Sequence, residues 1–204
     1  MPNDPAQPDP PEADLVALLG SRLCHDLISP IGAIGNGLEL LALAGSVTGP
    51  EMELIAQSVA AANARVRFYR LAFGQVGDQQ RLGASQIAKI LTEFGTMGRI
   101  NYDWQVEGER PRSEVKLACL AMLCLEAALP FGGTIEARET GGHWEIATRS
   151  DKLRAEPRLF ARLDGTPGDL TPAQVQFALL PIEAARQRRH LSWTLADRQA
   201  AIRF

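Results

Sequence analysis

Leu23-Cys24-His25-Asp26-Leu27-Ile28-Ser29-Pro30 is the stretch on which the fold turns. Val16, Leu19, Leu23, Leu27, Ile31, Ile34, Leu38 and Leu41 recur around it at steps of three and four, which predicts a helix from about Asp14 to Ala44. Asp14 is the expected N-cap. At about 100° per residue, His25 points some 200° away from both Leu23 and Leu27. The leucines are therefore expected to face a core and the imidazole to face out. The same outer face carries Arg22, Ser29, Gly32 and Asn36, polar or small apart from Ile28. Pro30 lacks a backbone N–H and predicts a bend just past His25.

Working outward, Gly45 to Pro50 forms a turn, with Pro50 suited to the first position of a second helix. Met52, Ile55, Val59, Ala62, Val66, Tyr69, Phe73 and Val76 then alternate at three and four over more than three heptads. Two long helices on a short turn make an antiparallel hairpin whose apolar seam is half exposed. Doubling it about a two-fold axis covers the seam in a four-helix bundle, so the pattern predicts a homodimer. Gly32, Gly35 and Gly37 are unfavourable in a helix and are expected at close-approach positions. Their GAIGNG order is only a weak echo of a nucleotide-binding fingerprint, because no strand precedes it.

Residues 1–13 hold five prolines and three acids without periodicity and read as a disordered tail. Those three acids give the whole net charge of −3, and the remaining chain is balanced. No excess of Lys and Arg suggests a nucleic-acid surface, and no apolar run suggests a membrane span or signal peptide. Cys24, Cys119 and Cys124 lie in apolar helical segments without zinc-site spacing, so free, buried thiols in a reducing cytosol are expected. The expected location is cytoplasmic.

Beyond a polar linker at Gly77 to Arg81 the pattern mixes helix and strand. Helices are predicted at 84–97, 113–129, 153–163 and 171–189, the last capped by Thr171 with Pro172 at its first position. Strands are predicted at 100–107, 134–139, 143–150, 191–195 and 200–204, the second and third joined by a turn at Thr140-Gly141-Gly142. The fold class is therefore α+β. A helical hairpin over 14–77 precedes an α/β sandwich over 78–204, with helices on one sheet face.

A lone surface histidine is usually incidental. Here Asp26 follows at once and can hydrogen-bond one imidazole nitrogen, fixing the tautomer and supporting the charge that develops when the other attacks phosphorus. His143 and His190 fall at predicted strand ends with no ligand partners at metal spacing. Arg65, Arg67, Arg70, Arg186, Arg188 and Arg189 complement helix C-termini or favour acidic partners.

His25-Asp26-Leu27-Ile28-Ser29-Pro30 resembles the H-box of two-component histidine kinases, and SRLCHDLISPIGAIGNGLELL is closer to the ChpT-type histidine phosphotransferases of bacterial cell-cycle phosphorelays. The order of hairpin and α/β domain matches both. Where the kinases carry an Asn-bearing magnesium helix, this chain reads LACLAMLCLEAALPF, with Glu126 the polar side chain of note. Where an Asp-x-Gly-x-Gly loop belongs, RSDKLRAEPR offers Asp151 without glycines. The second domain thus resembles a degenerate histidine-kinase ATPase domain, and no autokinase activity is expected.

The resemblance implies a phosphotransferase shuttle. His25 accepts a phosphoryl group from the receiver domain of a hybrid kinase and passes it to a response regulator of CtrA type, or to a small single-domain receiver. His25 and Asp26 are then the catalytic pair. Arg22, Ile28, Ser29, Gly32 and Asn36 form the receiver-binding surface, and Ser29 stands where some kinases keep a phosphatase residue. No cofactor is expected on this chain, because Mg²⁺ comes with the receiver. The alternatives are a non-catalytic dimeric adaptor that docks receivers, or an active kinase with an aberrant ATP site.

Overall fold

The computed structural model describes residues 12–44, 49–77, 79–96 and 98–204. Most of the expected tail and of the turn after the first helix lie outside them. Helix α1 spans Glu12–Ala44 and α2 spans Pro50–Phe73, packed as a hairpin. The first helix begins two residues before Asp14, which is therefore inside it and not its N-cap. Pro30 is buried, and the helix continues through it. Pro50 opens α2 as expected. The far end of α2 is satisfied from the second half of the chain, where the buried Arg112 guanidinium donates to the carbonyls of Leu71 (2.8 Å) and Arg70. These are carbonyls that a helix terminus leaves without intrahelical partners.

The rest contains α3 (Ala84–Gly95), α4 (Arg112–Glu126), α5 (Pro157–Phe160) and α6 (Gln176–Arg186), with short 3₁₀ turns at Ala161–Asp164 and Pro172–Gln174. The helix expected from Thr171 thus starts as a 3₁₀ turn, held by the Thr171 N–H donating to Gln174 Oε1 at 3.1 Å. Two three-residue strands, β1 (Arg81–Gly83) and β3 (Glu109–Pro111), pair antiparallel and escaped the sequence reading. Strands this short show no alternation to detect.

The main sheet runs β2-β4-β5-β7-β6, from β2 (Ile100–Trp104), β4 (Gly133–Thr140), β5 (His143–Arg149), β6 (Ser192–Ala196) and β7 (Gln199–Arg203). β2 and β4 are parallel, with α4 as their crossover, while the other neighbours are antiparallel. The β4–β5 turn uses Gly141 and Gly142 at φ of 59° and 86°, a conformation open to glycine at little cost. One sheet face carries Ile135, Ala137, Trp144, Ile146 and Ile202 into the core, and the other carries ion pairs such as Arg203–Glu145 at 2.6 Å. The expectation of helices on one face therefore holds.

The hairpin and the sheet domain share this core. Phe68, Tyr69, Leu71 and Ala72 of α2 are buried with α3 and α4 residues, and Phe68 stacks on Phe94 with ring centroids 4.0 Å apart. This shared packing fixes the hairpin on the domain that follows it.

Candidate functional site

Helix α1 has two apolar stripes, where a single one was expected. Leu23, Leu27, Ile34 and Leu41 are at least partly buried. Leu38, Ile31, Cys24 and Ile28, roughly 45° to 125° round, are exposed, Ile28 to 67%, Ile31 to 58% and Leu38 to 55%. The recurrence of Ile31 and Leu38 at seven residues places them on the outer stripe. Cys24 belongs to that stripe and is exposed, against the expectation of buried thiols, whereas Cys119 and Cys124 are buried. Burial pushes the Cys119 thiol up to about 12. On α2, Met52, Val59 and Val66 repeat at seven residues and are likewise exposed.

His25 sits beside the outer stripe with 88% of its side chain exposed. Its Nδ1 lies 3.2 Å from Asp26 Oδ1. A carboxylate can only accept, so a hydrogen bond here needs the proton on Nδ1, and in the neutral ring the exposed Nε2 then carries the lone pair. The second oxygen of Asp26 faces inward, where it accepts from the Tyr69 hydroxyl of α2 and lies 3.6 Å from Arg22 Nε. Burial, and then the Asp26 carboxylate, raise the Tyr69 hydroxyl well above its ordinary pKa, so it stays a donor at all physiological pH.

Arg22 is not on the outer face as expected. Only 11% of its side chain is exposed, and it reaches into the sheet domain. Its Nη1 donates to the Ala173 carbonyl at 2.8 Å and to the Gln176 side chain, whose own Nε2 donates to the Leu123 carbonyl at 3.2 Å. The physical reason is angular. Arg22 and Asp26 are four residues apart and share one flank of α1, turned toward the sheet domain, where Arg22 Nε comes within 3.6 Å of Asp26 Oδ2. These contacts hold the Arg22 guanidinium against the sheet domain.

A cavity of about 210 Å³ lies behind the pair, lined by Arg22, Asp26, Arg65, Tyr69, Tyr102 and Glu126 among others. The Tyr102 hydroxyl donates to Glu126 Oε2 at 3.1 Å. Burial pushes the Glu126 carboxyl above its usual range, against the pull of Arg22 and the Tyr102 hydrogen bond. Ile28, Ser29, Gly32 and Asn36 are all exposed on α1, C-terminal to His25. A Cβ built on Gly32 or Gly35 meets nothing within 4 Å, so within the chain neither is a close-approach position; Gly37 is buried.

The sequence reading missed Tyr69 and Gln176. Tyr69 fitted the apolar repeat of α2, and only its hydroxyl, 43 residues from Asp26, reveals the second use. Asp151 forms an exposed pair with Arg198 at 3.2 Å. Arg67 and Arg189 are engaged by Glu93 and Glu114, both at 2.8 Å. His143 and His190 are exposed, and among the described residues no cluster of three His, Cys, Asp or Glu side chains is placed to hold a metal.

The family model for the Histidine phosphotransferase C-terminal domain matches residues 84–199. Protein phosphotransferase ChpT of Brucella abortus (strain 2308) is 34% identical over 196 residues, which cover 90% of this chain and 92% of that protein. A solved structure described as a bacterial phosphotransferase superposes with a TM-score of 0.77 at 27% identity, covering 97% of this chain and 98% of the other. With a family model over more than half of its length and a relative of this identity along nearly all of it, the chain belongs to the ChpT-type histidine phosphotransferases.

Proposed function

We propose that this phosphotransferase relays phosphoryl groups between aspartates of receiver domains by way of His25. The observation that carries the reading is the exposed imidazole whose Nδ1 is held by Asp26. His25 Nε2 attacks the phosphorus of an aspartyl phosphate on the receiver of a hybrid histidine kinase. The N–P bond forms as the P–O bond to the receiver breaks, and the receiver's aspartate departs as a carboxylate. The proton on Nδ1 remains there, and the neighbouring Asp26 charge balances the cationic ring. In the second half-reaction the aspartate of a response regulator takes the phosphoryl group from Nε2. A CtrA-type transcription factor or a small single-domain receiver fits that role.

Receivers approach over Ile28, Ser29, Gly32 and Asn36, bringing the Mg²⁺ that neutralises phosphoryl charge. Such work suits a cytoplasmic protein. The exposed apolar stripes of α1 and α2 support a homodimer in which the two hairpins form a four-helix bundle. The sheet domain lacks the Asn-bearing helix and glycine loop of the kinases, which supports a relay without ATP-dependent autophosphorylation.

The test uses the whole chain. Labelled ATP alone leaves it unlabelled, while a labelled phospho-receiver transfers an acid-labile, base-stable phosphoryl group to it. His25→Ala abolishes this transfer. Transfer that survives in His25→Ala overturns the assignment, and labelling by ATP alone restores the kinase alternative.

A further inference from the structure

The Asp26 carboxylate is held from both sides. Oδ1 faces His25, while Oδ2 accepts the Tyr69 hydroxyl and lies near Arg22. A neutral imidazole in water prefers its proton on Nε2, which would bury the nucleophilic lone pair against Asp26 and leave the exposed nitrogen protonated. A carboxylate free to rotate about its last bond does little to reverse that preference. One pinned at its far oxygen presents Oδ1 to Nδ1 continuously.

We infer that Tyr69 is a positioning residue for phosphotransfer: through its hydrogen bond to Asp26 it selects the His25 tautomer whose exposed nitrogen is the nucleophile. The inference rests on the relay reading and adds what prepares the histidine. Tyr69 is suited to the task because its ring is locked. It packs against Phe68, Phe73 and Phe94, with centroids 5.4 to 6.1 Å away, and the residue is only 7% exposed. The hydroxyl therefore reaches Asp26 without choosing among rotamers. Arg22 supplies the electrostatic half of the grip, and it is fixed in turn by Ala173 and Gln176. Through these contacts the sheet domain, far from the attacking nitrogen, sets the state of the imidazole.

Tyr69→Phe keeps the ring and removes the donor, so the fold is retained. In the full-length protein, ¹⁵N spectra of the His25 ring should show a smaller Nδ1–H share than in the wild type. The rate of phosphoryl uptake from a phosphorylated receiver should fall about tenfold, the order expected for losing one hydrogen bond to a charged group. In an Asp26→Asn background, adding Tyr69→Phe should change the rate less than about twofold, because the effect travels through Asp26. An unchanged tautomer share in Tyr69→Phe overturns the inference, as does the same rate loss with and without the Asp26 carboxylate. Should the wild type fail to take up phosphate at all, the relay reading falls, and the spectra alone still decide the role of Tyr69.

Discussion

Replacing Ile31 and Leu38 together by alanine tests the bundle dimer most directly. In the single chain these side chains are 58% and 55% exposed, so a partner hairpin would cover the remaining half of each. Full burial of such a side chain stabilises by about 1.5–3 kcal/mol, so the uncovered half is worth about 1 kcal/mol. A two-fold dimer contains each residue twice, and the double substitution should weaken association by about 4 kcal/mol, or about a thousandfold in the dissociation constant. Both positions face solvent within the chain, and alanine favours helix, so the monomer fold should survive with unchanged far-UV circular dichroism. Sedimentation velocity over a concentration series reads the constant. A change smaller than about tenfold, with the fold intact, would show that the outer stripe is not the seam and would remove the bundle from the account.

Glu126 gives a pH signature. Its carboxyl is raised by burial, so between the ordinary carboxylate pKa and its own the folded chain holds a proton that the unfolded chain has released. Stability therefore falls as pH rises through that window. Thermal unfolding of Glu126→Gln should lose this slope and gain most over the wild type at the alkaline end; parallel curves would refute the burial argument. Gly132→Ala should cost roughly 3 kcal/mol in urea unfolding, because φ is +88° and the new Cβ meets the Arg99 carbonyl, whereas Gly165→Ala at φ +81° in open space should cost only about 1 kcal/mol. Equal costs would mean that the close contact plays no part. In the Ile31→Ala, Leu38→Ala chain, whose outer stripe is uncovered, a thiol reagent should modify Cys24 rapidly and reach Cys119 and Cys124 only on unfolding, with one fast thiol per chain as the result to check.

Local physics made the hairpin, the alternating strands of β4 and β5, their glycine turn and the His25–Asp26 pair legible in the sequence. Each depends on residues within a turn or two of one another. Arg22 was misplaced because a helical wheel gives an angle without saying what stands opposite. At that angle stand Ala173 and Gln176, more than 150 residues away. The parallel pairing of β2 with β4 was hidden for the same reason, as a crossover through α4 leaves no turn signal. The second stripe of α1 was merged with the first because steps of three and four fit both. Tyr69 shows the limit most clearly: its ring obeys the apolar period, while its hydroxyl serves a different chemistry.

Gly32 and Gly35 mark what the isolated chain gives up. Each sits inside a long helix, and an added methyl at either would touch nothing. Alanine at each should make the lone protein sturdier by about 1 kcal/mol. A variant that melts later yet trades phosphate more slowly would reveal that this edge is shaped for visitors, with its bareness a clearance kept for them.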